Sequence, residues 1–335
     1  MQESQNSNAL HWILGAALLL IGLFVVIALV NVKSQAADVD TDVTITNEAP
    51  SVSNVFITEA SSSTFVNDVD GIAPNAGATK TIWVTGYIAD SNGQNDITQG
   101  TGEILVSLYR TGVACDNETD GSTDANDCYK NGTANSGITA DASGVCTIDD
   151  TYGGADLQAS FSCPITLSYW VDATVAGGTD PTGSWTAAVT VRDFANAEGF
   201  HNSTTNDINT LASLSVGTSI AYPTLGLGAA TSVANDVELV LTQQANDVAT
   251  VSVQSATQMT CSIGSIPVAN EEWSLESFTF GAGTDLTSAP VATSASVGYK
   301  TAADVTDSIF WGIQIPATGV GGSCDGETLV TVSAA

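Results

Sequence analysis

The chain has 335 residues, with 36 Asp and Glu against 6 Lys and Arg, for a formal net charge of −30. That balance argues against nucleic acid as a partner, because phosphates need basic groups, and against adsorption to anionic lipid. Hydrophobic residues make up 43% of the chain and recur with strand-like alternation, which argues against intrinsic disorder.

Residues 1–11 are polar and read as a short cytoplasmic segment. Residues 12–30 follow without a charge, from Trp12 to Val30. As a helix they would span roughly 28 Å, close to the thickness of a bilayer core. They are read as a single-pass transmembrane signal anchor whose partner is the lipid bilayer, with the C-terminal domains extracellular at the cell membrane. A cleavage site is offered after Ala36, and Lys33 just upstream disfavours it. Residues 31–49 form an acidic stalk with Asp38, Asp40 and Asp42, closed by Pro50.

Residues 50–215 show period-two alternation with no helical periodicity. Strands are expected at Val52–Ile57, Thr79–Ala89 and Ile104–Tyr109. A polar excursion then runs to Ser143. Leu157, Ala159, Phe161, Cys163, Ile165, Leu167 and Tyr169 fall on one face, with Pro164 marking an edge strand or a bulge. Trp185, Ala187, Val189 and Val191 form another inward face. Leu211, Leu214 and Val216 would be the last strand. Residues 216–335 contain a second strand-rich unit, with Val237–Leu241, Val248–Val253, Trp273–Phe280, Ile309–Ile315 and Leu329–Val332. Gln244–Asp247 would turn a hairpin. The fold class is mainly β: one N-terminal transmembrane α-helix followed by two Ig-like antiparallel β-sandwich domains, the first with a disulfide-bearing acidic insertion.

Six cysteines, all beyond the apolar run, suggest three disulfides in an exported chain. Cys146 and Cys163 lie symmetrically about Gly154 and Ala155, so a hairpin turning there sets them opposite each other. Cys115 and Cys128 would close the acidic loop, leaving Cys261 with Cys324.

The strand ending at Asp90-Ser-Asn-Gly93 and the Trp-led strand ending at Val191-Arg-Asp-Phe-Ala-Asn196 resemble the Ig-like domains of bacterial surface proteins. Val106–Gly112, Met259–Val268 and Trp311–Cys324 resemble, more narrowly, uncharacterised membrane-anchored envelope proteins with tandem Ig-like domains from candidate-phylum bacteria. The resemblance covers most of residues 50 to 335. It implies two Ig-like sandwiches on a cell surface and no particular activity.

Two clusters suit Ca²⁺, which takes hard oxygen ligands. The first is Asp116, Glu118, Asp120, Ser122, Asp124 and Asp127, bracketed by Cys115 and Cys128. It follows calcium-loop spacing, with Gly121 in sixth place and a carboxylate in twelfth. It departs from that pattern in its Glu at the third place, in Thr123 where an apolar residue is usual, and in the short Asp127. The bland reading is a solvated acidic loop. The second cluster follows from topology. In an Ig-like sandwich the strands ending at Asp90 and Asp193 run the same way on facing sheets, so Asp90, Asn92, Asp96, Asp193 and Asn196 would share one pole. The bland reading is that these are turn formers.

Catalysis has little support. The chain has only two histidines, His11 at the apolar run and His201 in an expected loop, and no nucleophile or phosphate-loop motif appears. Trp83, Trp170, Trp185, Trp273 and Trp311 are expected in the core, ahead of a carbohydrate-stacking platform. Asn117, Asn131 and Asn202 fit the N-glycosylation pattern. The chain reads as a non-enzymatic envelope protein acting in adhesion, partner binding or surface-layer structure. Its partner would be a surface protein, a polysaccharide or another copy of itself. The alternatives are a pilin-like filament subunit with the apolar helix in the filament core and, less favoured, a secreted hydrolase.

Overall fold

A computed structural model describes residues 5–30, 42–98, 102–115, 126–134, 144–149 and 157–334. The chain divides into two compact units, Met1–Thr46 and Asn47–Ala335. In the first unit, α1 (Gln5–Val30) is 26 residues long. Its described side chains, residues 11–23, are all exposed and carry no acidic or ammonium group. Among the described residues no helix is long and apolar enough to cross a membrane.

The second unit is mainly β, built of several antiparallel sheets. Its first half contains β1 (Ser51–Thr58), β2 (Lys80–Ala89), the short helix α2 (Asn95–Thr98), β3 (Glu103–Arg110), β4 (Cys128–Gly132), β5 (Thr147–Asp149), β6 (Gln158–Leu167), β7 (Trp185–Arg192) and β8 (Glu198–Asn202). They make two four-stranded sheets, β1-β2-β6-β5 and β4-β3-β7-β8. Alternation decides what each strand buries. Ile82, Val84 and Ile88 of β2 and Phe161, Cys163 and Ile165 of β6 enclose one core with Ile104, Val106 and Leu108 of β3 and Trp185, Val189 and Val191 of β7. Each such side chain contributes about 1.5–3 kcal/mol of burial, and together they hold the two sheets face to face.

Pro164 is at no bulge, and although β6 lies between β2 and β5, β5 ends short of it, so Pro164 stands where β6 is locally an open edge. β6 pairs with β2 in unbroken register, Trp83 opposite Pro164, while β5 covers β6 only at Ser160–Ser162. Beyond the end of β5 the Pro164 carbonyl accepts a hydrogen bond from Asn131 Nδ2 instead, so a residue lacking an N–H costs the ladder nothing there.

The second half contains β9 (Leu214–Val216), β10 (Val237–Gln243), β11 (Ala249–Ile263), β12 (Ser265–Ile266), β13 (Glu271–Ser274), β14 (Thr284–Asp285), β15 (Val291–Val297), β16 (Thr306–Ile313) and β17 (Gly321–Ala334). One sheet runs β14-β13-β16-β10-β9, and another has β12, β15 and β17 on β11. Leu239, Leu241, Val251, Val253, Trp273 and Trp311 fill the core between them. Leu214–Val216 therefore belongs here, paired with β10, and does not close the first sheet pair. The expected strand at Trp273–Phe280 stops at Ser274.

Gln244–Asp247 carries the chain from one sheet to the other, because β10 pairs with β16 and β9 while β11 pairs with β15 and β17. Buried amides hold this arch. Gln243 Nε2 donates to Asp247 O at 2.7 Å, and Asn246 receives Leu211 N–H at 2.7 Å. Contacts also bind the halves together: Asn126 Nδ2 donates to Lys300 O at 3.1 Å, and the Lys300 ammonium lies 4.0 Å over the Trp170 ring.

Three disulfides, Cys115–Cys128, Cys146–Cys163 and Cys261–Cys324, use all six cysteines. Cys146 and Cys163 flank the β5–β6 register, where Thr147 pairs with Ser162. Cys261 pairs directly with Cys324 across the β11–β17 ribbon.

Candidate metal centre

β2 and β7 lie on facing sheets, and each is followed at once by an aspartate. Asp90 follows Ala89. Its backbone N–H donates to Leu157 O at 2.9 Å, and its Oδ1 accepts the Asn92 N–H at 2.7 Å, which forms an Asx turn. That turn leads through Gly93 into α2, whose Asp96 N–H donates to Gly93 O at 3.0 Å. Asp193 follows Arg192. Its Oδ1 accepts Ala197 N–H at 2.8 Å in a tight turn that places Asn196 at φ 62°. Phe194 N–H donates to Asp96 O at 2.8 Å and ties the two loops to each other. Where the chain returns towards β3, Gly102 passes so close that a Cβ there would lie 2.2 Å from Ile97 O.

The result is a pole at which Asp90, Asp96 and Asp193 each offer a carboxylate oxygen within 4.8 Å of the others. Asp90 is 2% exposed and Asp193 0%. Asp193 Oδ2 accepts a hydrogen bond from Asn47 Nδ2 at 2.7 Å, while Asp90 Oδ2 is buried without a hydrogen-bond partner among the described residues. Burial, reinforced by the charges of Asp96 and Asp193, raises the Asp90 pKa above its ordinary value, and the Asn92 N–H pulls it partly back. Arg192, next in the chain, spans Glu103 at 2.6 Å and Glu198 at 2.5 Å. Three carboxylates so close repel one another, and burying them without compensation is costly. A hard divalent cation would reverse the sign of that interaction. Ca²⁺ accepts six to eight oxygens in a loose geometry, completed by carbonyls, Asn side chains and water, whereas Mg²⁺ demands a near-ideal octahedron.

The other two residues expected at this pole sit beside it. Asn92 Oδ1 accepts the Glu48 N–H at 2.7 Å, and Asn196 is exposed, serving its turn. Asn47, assigned to the stalk by sequence, is a direct partner of Asp193. No local pattern points to it, because the contact spans 146 positions in the chain.

Of the first candidate cluster, Asp116, Glu118, Asp120, Ser122 and Asp124 lie outside the described residues. Asp127 is described and faces Arg110 at 3.8 Å. Arg110 also pairs with Asp172 at 2.9 Å and with Asp180. Burial pushes Asp172 up to about 6 against the pull of the Arg110 guanidinium, with Asp127 and Asp180 adding to the rise.

His201 lies on β8 opposite Val189, not in a loop. Trp185, Trp273 and Trp311 are core residues, whereas Trp83 and Trp170 are only half-buried. Asn131 is 0% exposed and its Nδ2 donates to Gly144 O and Pro164 O, so it is no glycosylation acceptor in the folded protein. Asn202 is exposed, and Asn117 lies outside the described residues.

No protein-family model and no curated protein matches the chain. Among solved structures, the C-terminal domain of the Streptococcus agalactiae AgI/II polypeptide BspA aligns at 13% identity, covering 85% of this chain and 100% of that one, with a TM-score of 0.18. A chaperone–tip adhesin complex of CFA/I fimbriae biogenesis aligns at 8% identity over 84% of each chain, with a TM-score of 0.24. At those scores neither alignment assigns a fold or a function to this chain.

Proposed function

We propose that the chain is a non-enzymatic cell-surface protein of the bacterial envelope. Residues 12–30 act as its single-pass membrane anchor, and its β unit works outside the membrane in adhesion, partner binding or surface structure. A divalent cation, calcium by ligand type, clamps one pole of the first sheet pair through Asp90, Asp96 and Asp193. The observation that carries this reading is the convergence of Asp90 and Asp193, from two facing sheets, with Asp96 of α2, and a buried Asp90 oxygen left without a partner among the described residues.

Other features support the setting. Six paired cysteines suit an oxidising compartment. By sequence the uncharged run of residues 12–30 has the length of a membrane span; the described helix side chains, residues 11–23, cover only part of it, so the anchor rests on the sequence and not on the helix described above. The strand orders β1-β2-β6-β5 and β4-β3-β7-β8 correspond to the ABED and C′CFG sheets of an Ig-like sandwich, which favours that fold for residues 50–215. The two sheets around Trp273 and Trp311 favour a second sandwich.

Protease shaving of intact cells that express the chain tests the setting. The β unit should be released from outside while α1 stays in the membrane fraction. A chain protected in intact cells, or recovered from the soluble cytoplasm with free thiols, would contradict it.

A further inference from the structure

The first sheet has a second face, pointing away from the core, and β2 places three large or hydroxylated residues on it: Trp83, Thr85 and Tyr87. Their neighbours Ile82, Val84 and Ile88 are at most 1% exposed and fill the core, so alternation alone turns Trp83 outward. Across the ladder Trp83 meets Pro164, Thr85 meets Ser162 and Tyr87 meets Ser160, and on the far side Ser162 meets Thr147. The Ser61–Phe65 loop lies over this face, with Thr85 Oγ1 donating to Thr64 O at 2.7 Å and Phe65 stacked on Tyr87 at 4.9 Å.

Two hollows remain between loop and sheet, of about 480 Å³ beside Trp83 and about 220 Å³ beside Phe65. Ser62, Thr147 and Ser162 line both, so the hollows form one trough. Trp83 and the 41%-exposed Val145 wall one end, and Asp149 lies at the other. The Ser162 hydroxyl at the middle is buried, with Ser162 itself 7% exposed, and has no hydrogen-bond partner among the described residues. A buried hydroxyl without a partner is costly, and a ligand hydroxyl at that point would remove the cost.

We propose that this trough binds a neutral polysaccharide. A pyranose ring has an apolar C–H face and a rim of hydroxyls. Trp83 offers an aromatic surface for the face, and Ser62, Thr147 and Ser162 offer hydroxyl partners for the rim. Asp149 accepts hydrogen bonds from sugar hydroxyls. Among the described residues no Lys or Arg lines the trough, and the chain carries a net charge of −30, so anionic glycans are repelled. The trough thereby names the class of partner for the surface role proposed above, and it rests on that reading only for its biological setting.

The test uses the full chain, disulfides intact, in lipid nanodiscs with calcium present. The probes are cellohexaose and chitohexaose, followed by tryptophan emission and titration calorimetry. Saturable binding of at least one probe is expected. Trp83→Ala should weaken it by about tenfold or more, Ser162→Ala by roughly threefold, and Trp83→Phe by less than Trp83→Ala. If neither hexasaccharide binds up to millimolar concentration, the proposal is overturned. Unchanged binding in Trp83→Ala also overturns it. Should Trp83→Ala fail to fold, Ser162→Ala and Trp83→Phe decide by the same criterion. Surface exposure and the calcium response are measured separately, so loss of sugar binding leaves the proposed setting standing.

Discussion

Asp90 and Asp193 come from facing sheets, more than a hundred residues apart in sequence, yet their carboxylate oxygens lie within 4.8 Å of each other and of Asp96. Without a cation this is a repulsive contact, and with one it is a clamp. Asp90→Asn should therefore have effects of opposite sign in the two conditions. In chelator the variant should melt at a higher temperature than wild type, because one buried like charge is gone while the amide oxygen still accepts the Asn92 N–H. In millimolar calcium it should melt lower than wild type, because a ligand is lost. Thermal melts of both proteins in both buffers check this. The raised Asp90 pKa adds a pH dependence: protons compete with the cation, so calcium stabilisation should weaken as pH falls.

Arg110 faces three carboxylates, and Asp172 bears the cost, its pKa lifted to about 6 chiefly by burial. Between the ordinary carboxylate value of 3.8 and about 6 the folded state holds a proton that the unfolded state has released. Stability from this group is thus full below that window and is lost as pH rises through it. Asp172→Asn imitates the protonated form. It should be more stable than wild type at pH 7, and its advantage should shrink as pH falls towards 4. Parallel melting curves across that range, with a constant difference, would count against the assignment.

The Cys146–Cys163 bridge pins β5, only three residues long, to β6. Replacing both cysteines by serine should lower stability by about 3 kcal/mol on a chain-entropy estimate for a loop of this length. Denaturant unfolding under non-reducing conditions measures it. Protection from hydrogen exchange at Thr147–Asp149 should fall first.

Much of this fold can be read from residue alternation. Ile82 and Val84 against Trp83 already separate the two faces of β2, and the symmetry of Cys146 and Cys163 about residues 154 and 155 anticipates the register that sets Thr147 against Ser162. The pole was legible for the same reason: two strands of one sense on facing sheets must end together. What was not legible rests on weak or distant signals. β15 reads Val-Ala-Thr-Ser-Ala-Ser-Val, and its inward positions include a Thr and an Ala, too polar or too small to mark a strand. β11 extends to Ile263 because β17 pairs along it through three register shifts. The Gln244–Asp247 arch resembles a hairpin until the buried amides of Gln243 and Asn246 are placed. Asn47 has no local motif at all.

Asn47 supplies a further check. Its amide donates to Asp193 Oδ2 and fastens the start of the β unit to the pole. Asn47→Ala should cost about 1.5–3 kcal/mol, as a hydrogen bond to a charged group does. It should also weaken calcium binding, because Asp193 loses the partner that orients it. A stability loss with unchanged calcium affinity would confine Asn47 to a structural role.

Calcium binding at the pole formed by Asp90, Asp96 and Asp193 is the property on which the proposed clamp depends. Titration calorimetry of the full chain in nanodiscs, wild type beside Asp193→Asn, addresses it most directly. Wild type should give saturable heat, the variant should lose one equivalent of binding, and chelator should lower the melting temperature only in wild type. Equal stoichiometry in both proteins, or no heat together with a melting curve indifferent to chelator, would contradict it.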